Sequence, residues 1–456
     1  MNKFLVLTTI ALMNFINSIS CVIKEAFMKI HNIRIQNYRR FEDISIDFNS
    51  CMNVLIGNNG VGKTSVLDAV AIGIGSIFLG IETNPSPSIK KDDVRFVSQK
   101  IGSVIDRQPQ YPVVISCCGI INGEQVNWKR QLNTKSGRTT YGDAECIKHI
   151  ASELQNRVRK GDVNTHLPLI SYYGTGRLWA QKHESSMKQI NNRLEGYIDC
   201  LSAESNEKLM LKWFEKMTYA QLQDGEIIPE LQAVNCAITE GFTESGSDMS
   251  NVKVQFNVKS HNLEISYSDK NGNYHRHPFH ELSDGYRNTL SLIADIAYRM
   301  AVLNPQYLGE VTKKTSGIVL IDEIDLHLHP IWQKRILKTL QKVFPLVQFI
   351  VTTHSPSIIS SAKSEELLIL DENSCKSFDY EVYGKDVNSV LTEIMKTSER
   401  PDEIAEKFNE FETLMEDGNY NEAGIILDEL RSILGNNDNG VVSAAVSLDF
   451  QKDWED

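Results

Sequence analysis

Gly57-Asn58-Asn59-Gly60-Val61-Gly62-Lys63-Thr64 stands directly behind an apolar run, Met52 to Ile56, and ahead of Ser65-Val66-Leu67-Asp68-Ala69-Val70-Ala71, which is compatible with a helix. Glycines let a backbone wrap closely around phosphates with its N–H groups inward, and a following Lys brings a cation to the terminal phosphates. Alone, such a stretch could be a glycine-rich turn with a chance Lys-Thr. Between a strand and a helix it is a phosphate-binding loop. The sequence therefore predicts an α/β domain that binds a nucleoside triphosphate through Gly57 to Ser65, with Lys63 on the terminal phosphates and the Thr64 hydroxyl on Mg2+.

With 456 residues the chain has room for a large core, and its net charge of −12 argues against a protein that coats nucleic acid indiscriminately. A local basic groove remains compatible with that charge. The cysteines at 21, 51, 117, 118, 146, 200, 236 and 375 show no C-x-x-C spacing, which suits reduced thiols in a cytoplasmic protein. Met1 to Ile23 reads differently, with a lysine, an apolar run and then Ser18-Ile19-Ser20-Cys21, as in a secretory or lipoprotein leader. An exported triphosphatase would lack its fuel. Met28 precedes the strand-like alternation Lys29 to Ile35 and is the favoured start, with a membrane tether or an ordered N-terminal helix as the alternatives.

From Lys29 the pattern reads strand, turn at Asn37 to Arg40, strands Ile44 to Phe48 and Met52 to Ile56, loop and helix. Asn122-Gly123 marks a hairpin, Leu169 to Tyr173 a strand, and His183 to Gln232 a helical insertion with Leu209, Leu211, Trp213, Phe214 and Met217. Strands at Val252 to Val258 and Leu263 to Tyr267 follow. Leu282-Ser283-Asp284-Gly285-Tyr286-Arg287 then opens a helix, Asn288 to Leu303, whose first turn would offer N–H groups to an anion. Ile318 to Ile321 is a buried aliphatic strand ending in Asp322-Glu323, and Phe349 to Thr352 is another ending in Thr353-His354. Helices are expected over Ile404 to Glu416 and Asn421 to Leu434, with a tail from Asp438 to Asp456. The division is a leader-like segment 1–27, a head 28–378 with a helical insertion over about 178–250, and a helical extension 379–456.

These motifs, in this order, resemble the ATPase head of the ABC superfamily in its RecF, SMC and break-repair branch, over Lys29 to about Asp371. The resemblance implies an ABC-type P-loop head of two lobes, with mixed and parallel sheets flanked by helices. It implies that Asp322 helps hold Mg2+ through water, that Glu323 polarises the attacking water and that His354 senses the γ-phosphate. Asp325 falls in the family's dimer-contact loop. Ser283 and Gly285 match the signature, with Asp284 where transporters carry glycine, and imply contact with the γ-phosphate of ATP held by a second head. Gln99, Gln108 and the segment Tyr173 to Arg177 are the candidates for the glutamine loop. His327 with His329 falls inside that dimer-contact loop, and His275, His277 and His280 lack the i, i+4 spacing of metallohydrolases, so neither group is read as a zinc site. Tyr38 to Phe41 suit contact with adenine or DNA, or solvated loop arginines, and the basic residues Lys129, Arg130, Lys135, Arg157, Arg159 and Lys160 suit either a DNA groove or a charged solvated face.

Transporter heads need a membrane partner, SMC proteins need long coiled coils, and nuclease-fused relatives need a Toprim domain, for which no Glu and Asp-x-Asp pattern follows Leu370. The chain looks most like the stand-alone PtuA-type ATPases of Septu and retron antiphage systems. Tyr172-Tyr173-Gly174-Thr175-Gly176-Arg177-Leu178-Trp179, Asp322 to Pro330 and Tyr383 to Ser389 carry that likeness. It implies an ATPase without nuclease activity of its own, paired with a separate HNH endonuclease that docks on the helical tail, unless that tail packs on its own head. The alternative is a RecF-like repair ATPase that binds duplex DNA without a nuclease.

Overall fold

The computed structural model describes residues 27–178, 192–202, 207–244, 249–372, 374–378 and 380–455. The leader-like segment, Trp179 and the first part of the insertion lie outside them, as does the Arg177 side chain. The early alternation becomes β1 (Met28–Tyr38) and β2 (Phe41–Asp47), antiparallel with Asn32 opposite Asp47 and Tyr38 opposite Phe41. β3 (Met52–Ile56) is buried at every position and leads through the glycine loop into α1 (Lys63–Ile74). β4 (Phe96–Ile101) and β5 (Val104–Pro109) form a largely exposed hairpin. β6 (Val113–Ile121) and β7 (Glu124–Leu132) turn at Asn122-Gly123, where φ is 54° and 79°, the left-handed pair a two-residue hairpin needs.

α2 (Glu145–Arg159) and β8 (Leu169–Tyr173) follow. The insertion is α3 (Glu207–Asp224) and α4 (Pro229–Glu244), with Met210, Trp213 and Phe214 as the buried residues of α3. Next come β9 (Ser250–Asn257), β10 (Asn262–Ser268), β11 (Tyr274–Pro278) and α5 (Asp284–Leu303). β12 (Gly317–Ile321), α6 (Ile336–Val343), β13 (Val347–Thr352), β14 (Leu367–Asp371) and β15 (Ser374–Ser377) complete the head.

The central sheet runs β15-β14-β3-β13-β12-β8, parallel throughout except for edge strand β15. β3, β12, β13 and β8 are buried at every position, which explains their largely apolar composition: a parallel strand covered on both faces has no solvent side to make polar, and the polar Asn53, Gln348 and Thr352 among them are hydrogen-bonded. The antiparallel sheet β2-β1-β6-β7 faces it across α1, and Trp128 Nε1 on β7 donates to the Gly73 carbonyl of that helix at 2.9 Å. On β8, the Tyr173 hydroxyl donates to Asp295 Oδ2 of α5 at 2.7 Å, an oxygen that also accepts from Arg299 Nε at 2.7 Å. The Tyr173 bond ties α5 to the sheet, while Asp295 and Arg299 form a buried ion pair within the helix; losing one partner of such a pair costs about 3–5 kcal/mol.

The chain divides into two compact units, the first running to Gly384 and the second from Lys385 to Asp456. The second holds α7 (Asp402–Glu416), α8 (Tyr420–Leu434) and α9 (Asn439–Glu455) around Phe411, Ala423, Leu427, Leu430, Val441, Ala444 and Leu448. The stretch read as a tail, Asp438 to Asp456, thus holds the helix Asn439–Glu455. Its start is obscured by Gly435 and the Asn-rich run to Gly440, which read as loop, yet Asp438 Oδ1 accepts the N–H groups of Gly440 and Val441 at 2.9 and 3.2 Å. Among the described residues no helix is long and apolar enough to cross a membrane.

Candidate nucleotide-binding site

The carboxyl ends of β3, β12 and β13 lie side by side, the edge at which open parallel sheets bind ligands. There a cavity of about 500 Å3 is lined by residues of the glycine loop and α1, by Asp322 and Glu323 after β12, and by Thr352 and His354 around the end of β13. Arg39 and Arg40 line it from the β1–β2 turn. Gly62 is required on two grounds: its φ is 101°, and a Cβ there would meet Phe41 Cζ at 2.6 Å.

Lys63 is buried, and its Nζ donates to the carbonyls of Gly57 and Asn58 at 2.8 and 3.1 Å. Burial pushes its pKa down to about 8, against the opposing pull of Asp322, Glu323 and Asp325. A phosphate ligand needs the protonated ammonium. ATP affinity should therefore be full near pH 7 and decline as pH rises through about 8, with proton uptake on binding above that point. Titration with a fluorescent ATP analogue from pH 7 to 9.5 checks this, and a flat profile contradicts it.

Thr64 Oγ1 donates to Asp322 Oδ2 at 2.9 Å, and Thr352 Oγ1 donates to Asp322 Oδ1 at 2.6 Å. The same Thr352 oxygen accepts the Glu323 N–H at 2.8 Å. That bond matters because Glu323 has φ 45°, a left-handed conformation that costs a non-glycine residue about 1–2 kcal/mol. One fully buried threonine thus holds both the Asp322 carboxylate and the backbone of Glu323. Thr352→Val keeps the shape and removes the hydroxyl, leaving buried polar groups unpaired at about 1–3 kcal/mol. ATP turnover should fall at least about tenfold while ATP affinity changes little; steady-state kinetics alongside nucleotide titration reads this, and unchanged turnover contradicts it.

Thr353 Oγ1 donates to Asp325 Oδ1 at 2.6 Å, which ties the segment after β13 to the loop after β12. Next to it His354 has its pKa lowered, first by burial and then by the Lys63 cation, so it is neutral at pH 7 and presents one N–H and one lone pair. Among the described residues no group of three or more His, Cys, Asp and Glu is placed to hold a metal ion. The pair of Thr64 hydroxyl and Asp322 carboxylate fits Mg2+ in the other way that ion is held, by one or two protein oxygens with substrate phosphates and water.

Ser283 is exposed at the N-terminus of α5 and does not line this cavity. The turn it opens is anchored to the loop after β12: Asn288 Nδ2 donates to the Leu326 carbonyl at 2.9 Å, and a Cβ on Gly285 would meet the His327 carbonyl oxygen at 2.7 Å. Gln99 and Gln108 sit on the exposed β4–β5 hairpin, away from the cavity.

Arg39, read as a contact to adenine or DNA or as a solvated residue, lines the cavity and is held in place. It pairs with Asp68 at 2.7 Å and Asp93 at 2.9 Å, and Asp68 also accepts from the Tyr172 hydroxyl at 2.9 Å. Arg130 of the basic cluster is likewise buried, donating to Ser86 Oγ at 2.8 Å and the Thr140 carbonyl at 3.0 Å. Thr352, Asp68 and Asp93 escaped the sequence reading. A Thr closing the apolar run Phe349 to Val351 was the one signal for the first.

A family model described as an AAA domain matches residues 32–244, and one described as "AAA domain, putative AbiEii toxin, Type IV TA system" matches 206–360. The retron Ec83 probable ATPase of Escherichia coli is 25% identical, covering 94% of this chain and 88% of its own length. The Septu protein PtuA of Bacillus thuringiensis is 24% identical, over 86% of this chain and 90% of its own. A solved SMC head domain from Thermotoga maritima aligns with 77% of this chain and 100% of its own at 14% identity, with a TM-score of 0.42. With the phosphate loop, the acid pair and the parallel sheet in place, the chain is a P-loop ATPase, similar over most of its length to the retron ATPases and Septu PtuA.

Proposed function

We propose that the protein is a cytoplasmic regulator in antiphage defence, whose heads pair around ATP and Mg2+ and control a separate HNH endonuclease. Gly57 to Ser65 hold the phosphates, Lys63 neutralises the terminal ones, and Thr64 and Asp322 hold the ion. Mg2+ supplies charge neutralisation on the β- and γ-phosphates when bound. Glu323, positioned by Thr352, accepts a proton from the attacking water. The neutral His354 donates an N–H to the γ-phosphate.

The position of Ser283 carries the assembly reading. It caps a helix of twenty residues, exposed together with Asp284 and outside its own cavity, yet its turn is fixed to the loop that bears Glu323. A positive helix end so placed suits a γ-phosphate held by another copy. In this reading head and insertion form the ATPase and residues 379–456 the partner-binding extension. Purification from the native operon tests it: co-elution with an HNH protein supports it. A homodimer that binds duplex DNA tightly with no HNH protein instead establishes the RecF-like alternative.

A further inference from the structure

Residues 385–456 hold eighteen Asp and Glu against six Lys and Arg, a net −12, which is the net charge of the entire chain; residues 1–384 are neutral. Four of those six cations are already engaged within the unit: Lys385 with Glu393, Arg400 with Asp438, Lys407 with Glu429 and Arg431 with Asp428. Carboxylates at Asp402, Glu403, Glu406, Glu410, Glu412 and Glu416 are exposed along α7 alone.

Against that acidic surface, α9 is apolar on two faces. Val441, Ala444 and Leu448 bury into the three-helix core. Val442 and Val446, one turn apart on another face, are 46% and 64% exposed, and Phe450 continues their line at 60%. A helix in a three-helix unit needs one apolar stripe, and a second exposed one marks a binding surface. The stripe borders a groove of about 460 Å3 between α8 and α9, floored by Val441, Val442, Ala445 and Val446 and flanked by Arg431 and Asp449.

We infer that this groove on α9 is a docking surface for a basic protein, which seats an apolar side chain between Val442 and Val446 while its cations meet the surrounding carboxylates. Charge selects the occupant. Nucleic acid and an anionic bilayer are repelled, and a second copy of the same face would bring another −12 toward the first. The attraction acts within a Debye length of about 8 Å at physiological salt and speeds encounter, while the groove sets residence time. A protein that handles DNA carries a basic face, so the inference deepens the nuclease reading and rests on it only for the partner's identity.

The test uses the full chain and Val442→Gln/Val446→Gln, which keeps every charge, with circular dichroism to confirm folding. A labelled amphipathic peptide of Lys and Leu is the probe, and polylysine the charge-only control. The double variant should bind the peptide at least about tenfold more weakly, equivalent to 1.4 kcal/mol, and polylysine equally. Equal peptide affinity overturns the inference, as does a wild-type oligomer that the double variant dissolves. In native-operon purification, an HNH protein held by the wild type and lost by the variant supports it. An HNH protein held by both overturns the groove and leaves the nuclease reading standing. No HNH protein on the wild type, with the peptide difference intact, defeats only the nuclease reading.

Discussion

Lys63→Ala is expected to remove ATP binding, at least about 100-fold in affinity, because charge-assisted bonds to phosphate contribute about 1.5–3 kcal/mol each and the ammonium can make more than one. The side chain is already buried and directed into the loop, where it donates to Gly57 and Asn58. Those carbonyls hold it close to where phosphate oxygens arrive, so little ordering cost remains at binding. The fold should survive, since the truncated side chain faces the cavity rather than the core. Calorimetry with ATP and Mg2+ reads the loss. Near-wild-type affinity would mean that the loop's N–H groups alone hold the nucleotide.

Glu323→Gln is expected to act on the opposite step. The amide preserves size and one oxygen but cannot take a proton, so turnover should drop by about 10^2- to 10^4-fold. ATP binding should persist and bound ATP accumulate, because Lys63, Thr64 and Asp322 are untouched. The backbone at φ 45° is held by Thr352 and does not depend on the carboxylate, so the variant keeps the site's geometry. Single-turnover measurement with radiolabelled ATP separates binding from chemistry. Wild-type turnover would remove Glu323 from the reaction and leave Asp322 as the nearest acid.

The parts of this molecule that could be read in sequence are those where local chemistry admits one conformation. Gly57 to Thr64, the buried runs ending at Ile321 and Thr352, and Asn122-Gly123 each carry a pattern that few structures satisfy. What stayed hidden depends on residues far apart in sequence. Asp68 meets Arg39 and Tyr172 only after three segments converge on one end of the sheet, and no spacing announces that. The two roles of Thr352 arise because β12 and β13 are neighbours in register, with Ile321 opposite Val351. The helix Asn439–Glu455 was masked by the glycine and asparagines before it, and its burial pattern appears only against Leu427 and Leu430. The acidic surplus after Lys385 was present in the composition, but its meaning needed the boundary between units.

The central claim is that one head's phosphate loop and acid pair are completed by Ser283 of another. Mixing Glu323→Gln with Ser283→Arg tests it most directly, since each variant alone should be nearly inactive. In the mixed dimer one site combines an intact Glu323 with an intact Ser283, so equimolar mixing should restore about a quarter of wild-type turnover under random pairing of a symmetric dimer. Activity that stays at the sum of the two inactive proteins would contradict a site shared between copies.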